Sequence, residues 1–212
     1  MNMNKLEAFL AEDKYVDYSA PIIQAKAVEL FGGVAGDTQV ARATGNTQVA
    51  RIAYEFVRDK IPHSFDINAK TITARASDVL KHGTGICHAK ANLLAALLRL
   101  RGIPAGFCFQ CCTQMDDDSA GYCVHCYNAV WLDGRWVKLD ARGNKAGVNA
   151  QFSLSEPVLA FIPRQAYGEY LWPGIYAAPH AETMRMLAQA DSLEYIIKNI
   201  PDKITLLPDM DE

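Results

Sequence analysis

The chain has 212 residues, half of them apolar (50%), and a formal net charge of -3 with a pI near 6.0. That length suits one domain with a sizeable core, and the charge argues against a nucleic-acid or anionic-membrane surface, since both need clustered Lys and Arg. The N-terminus lacks an apolar signal core and no run approaches the ~20 apolar residues of a bilayer span, so the expected location is cytoplasmic and no membrane partner is expected.

Lys5 to Ala11 and Ile22 to Phe31 read as short helices, and the polar, glycine-containing stretch from Gly32 to Thr47 reads as a loop. From Thr47 to Asp59, Val49, Ile52, Ala53, Phe56 and Val57 share one face, which predicts a helix that Pro62 ends. Ser77 to Leu80 offers a short capped turn. A helix from about Ile86 to Arg101 buries Leu93, Leu94, Leu97 and Leu100 before Gly102 and Pro104 stop it, and it should be the central core helix. Ala105 to Cys112, Tyr122 to Leu132 and Arg135 to Ala141 alternate or run apolar as strands. An acidic loop, Asp116 to Asp118, joins the first two, and an Asp133-Gly134 turn makes a hairpin of the last two. Gln151 to Leu154 offers an edge strand, the chain turns irregular from Pro163 to Pro179, and Ala181 to Lys198 reads as a helix. The expected fold class is α+β, one domain over residues 1–212, with the cysteine-bearing helix packed on an antiparallel sheet and helical extensions at both ends.

Chemistry concentrates at three places. In Gly83-Thr-Gly-Ile-Cys87 a thiol stands where a loop ends and a helical run begins, and the unpaired N–H groups of a first helical turn favour thiolate over thiol. His125 and Asp140 lie on the two strands of the hairpin. If Asp133 and Gly134 are its loop, Leu132 faces Arg135 and Tyr127 faces Asp140, so His125 and Asp140 are diagonal neighbours on one face with Cβ atoms ~7 Å apart. A carboxylate there would fix the imidazole tautomer and stabilise imidazolium once the thiol proton has moved.

These motifs resemble the transglutaminase-like superfamily, in particular compact bacterial members related to cysteine proteases. The Gly-x-Cys helix opening at Cys87, the strand histidine His125 and the aspartate in Leu139-Asp140-Ala-Arg-Gly-Asn carry the likeness, together with the helix around Ile52 to Ile61 and the His63-Ser-Phe-Asp66 segment. It covers roughly residues 45 to 150. The resemblance implies a papain-like core with Cys87 as nucleophile, His125 as base and Asp140 orienting the base. It departs from the usual pattern in flanking His125 with Cys123 and Cys126. The function implied is amide-directed acyl transfer through a Cys87 thioester, as peptidase, amidase or transglutaminase, on a peptide, protein or small amide substrate and without a cofactor. Hydrolysis and transamidation both remain open.

Other residues compete for these roles. His63 is the main alternative base, because a strand there could bring it and Asp66 to the cleft; His88 points ~100° away from Cys87, and His82 and His180 read as solvated. Lys90, one turn from Cys87, could help the thiolate electrostatically but reads first as a solvated surface charge. Arg142 either binds a carboxylate or bridges to Asp140 or Asp66. Trp131 and Trp136 should pair across strands. Cys108, Cys111, Cys123 and Cys126 have the spacing of a four-cysteine zinc site, the basis of an alternative reading as a zinc-stabilised or non-catalytic binding module. Residues i and i+3 of a strand, however, point to opposite faces, so no metal is expected.

Overall fold

A computed structural model describes residues 5–34, 39–114, 121–205 and 208–210, without the side chains of residues 39–44. Its centre is helix α4 (Cys87–Leu100), and every residue from His88 to Arg99 is buried. A helix enclosed on all sides must be apolar all round or must satisfy its polar groups internally. Leu93, Leu94, Leu97 and Leu98 supply the first condition, each fully buried and contributing about 1.5–3 kcal/mol. Asn92 and Arg99 meet the second by donating to the carbonyls of Ala74 and of Ala105, Ala11 and Ala177. Helices α1 (Pro21–Phe31), α2 (Gln39–Lys60) and α3 (Ala76–His82) pack around it. Pro21 at the first helical position of α1 costs no hydrogen bond, because that N–H would be an orphan anyway.

On the other side of α4 lies an antiparallel sheet of β1 (Ala105–Thr113), β2 (Tyr122–Leu132), β3 (Arg135–Leu139) and β4 (Tyr170–Leu171), in the order β3-β2-β1-β4. Asp133 and Gly134 form the two-residue β2–β3 turn with φ of 51° and 82°, a left-handed pair that matches the strand twist. It sets Leu132 opposite Arg135 and Trp131 opposite Trp136, whose rings meet edge-on at 5.4 Å. The even-numbered face of β2 meets the helices, and Asn128 Nδ2 ties the two layers by donating to Ala91 O and Gly106 O, both at 3.2 Å. The opposite face carries His125, Tyr127 and Ala129; Phe9, Ile175 and Met210 cover its far end. Helices α5 (Ala181–Gln189) and α6 (Leu193–Asn199) close over Ile86 beside the start of α4.

Several elements differ from the sequence reading. Helix α2 begins at Gln39, so half of the presumed Gly32–Thr47 loop is helical. The N-terminal helix is a single 3-10 turn, Glu7–Leu10. Gln151 makes one isolated bridge to Val158 and does not join the sheet, whose second edge is β4. The C-terminal helix is broken in two, with Ser192 Oγ accepting from Tyr195 N–H to start α6. The acidic loop Asp116–Asp118 lies outside the described residues. Among the described residues no helix is long and apolar enough to cross a membrane.

Candidate active site

Cys87 is the first residue of α4, and the loop before it explains why glycine stands two positions earlier. A Cβ on Gly85 would lie 3.1 Å from Ala89 Cβ, 3.2 Å from Thr73 Oγ1 and 3.3 Å from Val79 Cγ2, so the chain enters α4 too close to its neighbours for a side chain. Gly85 also forms a parallel bridge with His63, and its carbonyl accepts from Ser64 N–H at 3.2 Å. That pairing brings the 61–66 segment against the start of α4.

Opposite, β3 ends at Leu139, one residue short of the position facing Tyr127, and Asp140 turns off the strand with His125 beside it. His125 Nε2 donates to Asp140 Oδ2 at 2.8 Å, with the two side chains 4% and 0% exposed. The carboxylate also accepts from Ala160 N–H at 2.9 Å and Arg142 N–H at 3.1 Å, which satisfies a buried anion and points it at the ring. With Nε2 taken, Nδ1 makes the ring's hydrogen bond to the Cys87 sulfur, and Phe161 closes on the ring edge-on at 5.0 Å. The structure therefore brings Cys87, His125 and Asp140 together.

Electrostatics follow from these contacts. Burial opposes charge on Cys87, but the adjacent His125 charge, its hydrogen bond to sulfur and the Cys126 backbone N–H together hold the thiol below its ordinary value. Burial likewise opposes imidazolium, yet the charges of Asp140 and Cys87 push His125 up to about 10. Burial would raise Asp140, and the His125 charge and the three hydrogen bonds bring it down instead. Both shifts act in favour of a thiolate–imidazolium pair backed by a carboxylate. By contrast, burial pushes up Cys111, Cys112, Cys123 and Cys126.

His63 takes a place that the sequence did not suggest. Its Nε2 accepts from the backbone N–H of Cys87 at 3.1 Å, while the sulfur faces His125. An accepting Nε2 means a neutral ring with its proton on Nδ1, in keeping with burial and the Arg142 charge, which hold His63 well below its ordinary value. Nδ1 has no partner among the described residues. The signal available in the sequence was His63 itself, read there as an alternative base.

The remaining candidates separate. Arg142 forms a bidentate pair with Asp66 at 2.5 and 2.9 Å, which settles its alternatives in favour of a bridge. Lys90 is fully buried, against the expectation of a solvated charge: Nζ donates to Ile61 O and, at 2.8 Å, to Arg142 O. His180 is also buried rather than solvated, paired through Nδ1 with Thr183 Oγ1 at the head of α5, whereas His82 is exposed. His88 Nε2 bonds Val124 O at 2.9 Å, facing the sheet. Strand register puts Cys108 and Cys111 on opposite faces, and Cys123 and Cys126 likewise; among the described residues no group of three or more His, Cys, Asp or Glu could hold a metal.

Comparison with known proteins matches residues 35–141, half of the chain, to the transglutaminase-like superfamily. No curated protein matches. Among solved structures, the chain resembles one from Cytophaga hutchinsonii named "Putative Cysteine Protease", at 19% identity and a TM-score of 0.48. The likeness covers 67% of this chain and 43% of that one, so this chain spans less than half of that protein's length.

Proposed function

This chain belongs to the transglutaminase-like superfamily, and on that footing we propose that it is an amide-directed cysteine enzyme working through Cys87, His125 and Asp140. The observation that carries this reading is the buried Asp140–His125 pair backing a thiol whose pKa is lowered at a helix N-terminus. A residue that merely filled the core would need neither partner.

In the reaction, Cys87 Sγ attacks an amide carbonyl carbon and the C–S bond forms as negative charge moves to oxygen. His125 passes its Nδ1 proton to the departing amine, the C–N bond breaks, and a thioester remains. Asp140 keeps the imidazolium oriented throughout. Water or a second amine, deprotonated by His125, then attacks the thioester and restores the thiol. The oxyanion develops at the start of α4, where the Cys87 N–H can serve as a backbone donor. In the resting protein that donor is bonded to His63 Nε2, so attack requires the N–H to exchange the ring nitrogen for the substrate oxygen.

Brief treatment with iodoacetamide followed by peptide mass mapping tests the reading. Cys87 should alkylate fastest of the six thiols at neutral pH, and an electrophile built on a glutamine-like or peptide amide should label it selectively. Faster labelling at Cys108 or Cys123 would overturn the assignment. The products of a peptide amide with and without added amine then distinguish hydrolysis from transamidation.

A further inference from the structure

The sheet face that carries His125 holds three more thiols that the chemistry above does not use, Cys108, Cys112 and Cys123. Cys112 in β1 and Cys123 in β2 are direct antiparallel partners. Phe107 exchanges both main-chain bonds with Tyr176, and Phe109 O accepts from Trp172, so these alternate residues of β1 turn their backbone away from β2. Gly106, Cys108, Gln110 and Cys112 must therefore turn theirs towards it. Cys112 and Cys123 form a hydrogen-bonded pair, with Cα atoms ~5.5 Å apart, which is the commonest separation in disulfides. Directly opposed residues share a face, so the two thiol side chains project side by side. The partners of Cys108, Cys111 and Cys126 are Tyr127, Val124 and Phe109 instead.

The pair also borders the nucleophile. Cys123 lies two residues before His125 on the same face, and His125 bonds the Cys87 sulfur. After burial, the Cys87 charge is the strongest influence on Cys123. Cys87 and Cys123 are both partly open to solvent, so an oxidant that reaches one sulfur reaches the neighbourhood of the other.

We infer that Cys112 and Cys123 are an oxidation site, forming a cross-strand disulfide that takes up the oxidising equivalent when a hydroperoxide attacks Cys87. The Cys87 thiolate attacks the peroxide, the O–O bond breaks, and the alkoxide leaves as alcohol (or water) on taking a proton, which converts Cys87 to a sulfenic acid. Cys123 attacks that sulfur and water leaves, carrying the Cys123 proton, to give a Cys87–Cys123 disulfide. Cys112 then loses its proton to solvent, attacks the Cys123 sulfur, breaks the Cys87–Cys123 bond and releases Cys87 as thiolate. In sum, two thiols and one hydroperoxide yield one disulfide, one alcohol and one water. The first step removes the negative charge that holds Cys123 protonated, and so favours the second. The gain is a nucleophile kept off the irreversible sulfinic and sulfonic steps.

The test uses the purified full chain, a small excess of hydrogen peroxide, blocking with N-ethylmaleimide and peptide mass mapping. The wild type should accumulate a Cys112–Cys123 linked peptide while Cys87 stays alkylatable. Cys123→Ser should lose the linkage and carry Cys87 to the sulfinic acid several-fold faster. Cys112→Ala should trap a Cys87–Cys123 disulfide, an outcome that a merely misfolded variant would not give. Cys87→Ser should slow formation of the linked peptide by about tenfold, because only the thiolate reacts well with peroxide. Finding Cys112 and Cys123 both still alkylated after Cys87 has been oxidised would overturn the site, and linkage at the wild-type rate in Cys87→Ser would overturn the relay through Cys87. No substrate enters the measurement, so its result is independent of the amide chemistry proposed above.

Discussion

The two walls of the candidate site satisfy their buried ionisable groups in opposite ways. On the sheet wall a cation meets a carboxylate, His125 with Asp140 and Arg142 with Asp66. On the helix wall the partners are backbone groups: Lys90 donates to two carbonyls, His88 bonds Val124 O, and His63 accepts from Cys87 N–H. His125 and His88 make the contrast sharpest, because they are the same residue type at 4% and 1% exposure. Burial opposes charge in both, yet the charges of Asp140 and Cys87 raise His125 to about 10, while His88, held by a neutral oxygen, falls to about 3. Partner chemistry, rather than depth, sets the protonation state. The sheet wall holds charge, and the helix wall fixes geometry without it.

Substitutions on the reactive set should therefore change chemistry most. Cys87→Ala should abolish amide turnover and leave urea-unfolding stability near that of the wild type. His125→Ala and Asp140→Asn should each lower turnover by roughly 10²–10⁴-fold. Asp140→Asn carries a stability cost as well, about 1–3 kcal/mol, because the carboxylate accepts from Ala160 N–H and Arg142 N–H in addition to the imidazole. Turnover within threefold of wild type in Asp140→Asn would show that the sheet wall does not hold charge for catalysis.

The sheet wall was legible in the sequence for a local reason. An Asp-Gly turn between two alternating runs admits one register, and that register alone puts His125 and Asp140 on one face. The start of α4 was equally plain from Gly85, Cys87 and the leucines that follow. The helix wall was not legible, because its bonds run to backbone atoms far away in the chain. Lys90 finds its carbonyls 29 and 52 residues away, and no pattern of side chains announces a carbonyl. His180 was misjudged because the chain around it has no periodicity. Strand β4 is two residues long, too short for alternation to register, and α2 starts early through residues whose polar composition reads as loop. The third support of Asp140, the Ala160 N–H, comes from a segment outside any helix or strand.

Lys90→Met probes the helix wall directly. It keeps the stem volume but leaves Ile61 O and Arg142 O without their donor, at about 1–3 kcal/mol for each buried carbonyl. We expect a loss of about 2–4 kcal/mol in urea unfolding, with turnover falling by less than in Asp140→Asn. Equal loss of turnover in the two variants would mean that the walls are not separable in function.

The smallest effect is also the cleanest test of the contrast between His125 and His88. The folded His88 has a pKa of about 3, set first by burial, against ~6.5 unfolded. Between those values the unfolded chain binds more protons than the folded one, so His88 makes stability rise with pH and fall on acidification, by at most about 1.4 kcal/mol per pH unit. His63 and His180, also lowered, act with the same sign. His125 acts with the opposite sign and elsewhere, losing its contribution as pH rises from ~6.5 towards about 10. Asp140, whose folded pKa is lowered, loses its contribution only as pH falls below ~3.9. Acidification from pH 6.5 to 4 therefore reports the buried neutral histidines. His88→Gln keeps a side-chain donor for Val124 O and removes the titration. Its stability relative to wild type, from urea unfolding at several pH values, should improve by roughly 2–3 kcal/mol across that window. A difference that stays flat with pH would mean that His88 takes up its proton in the folded state, and that a neutral carbonyl partner does not suffice to keep a buried histidine uncharged.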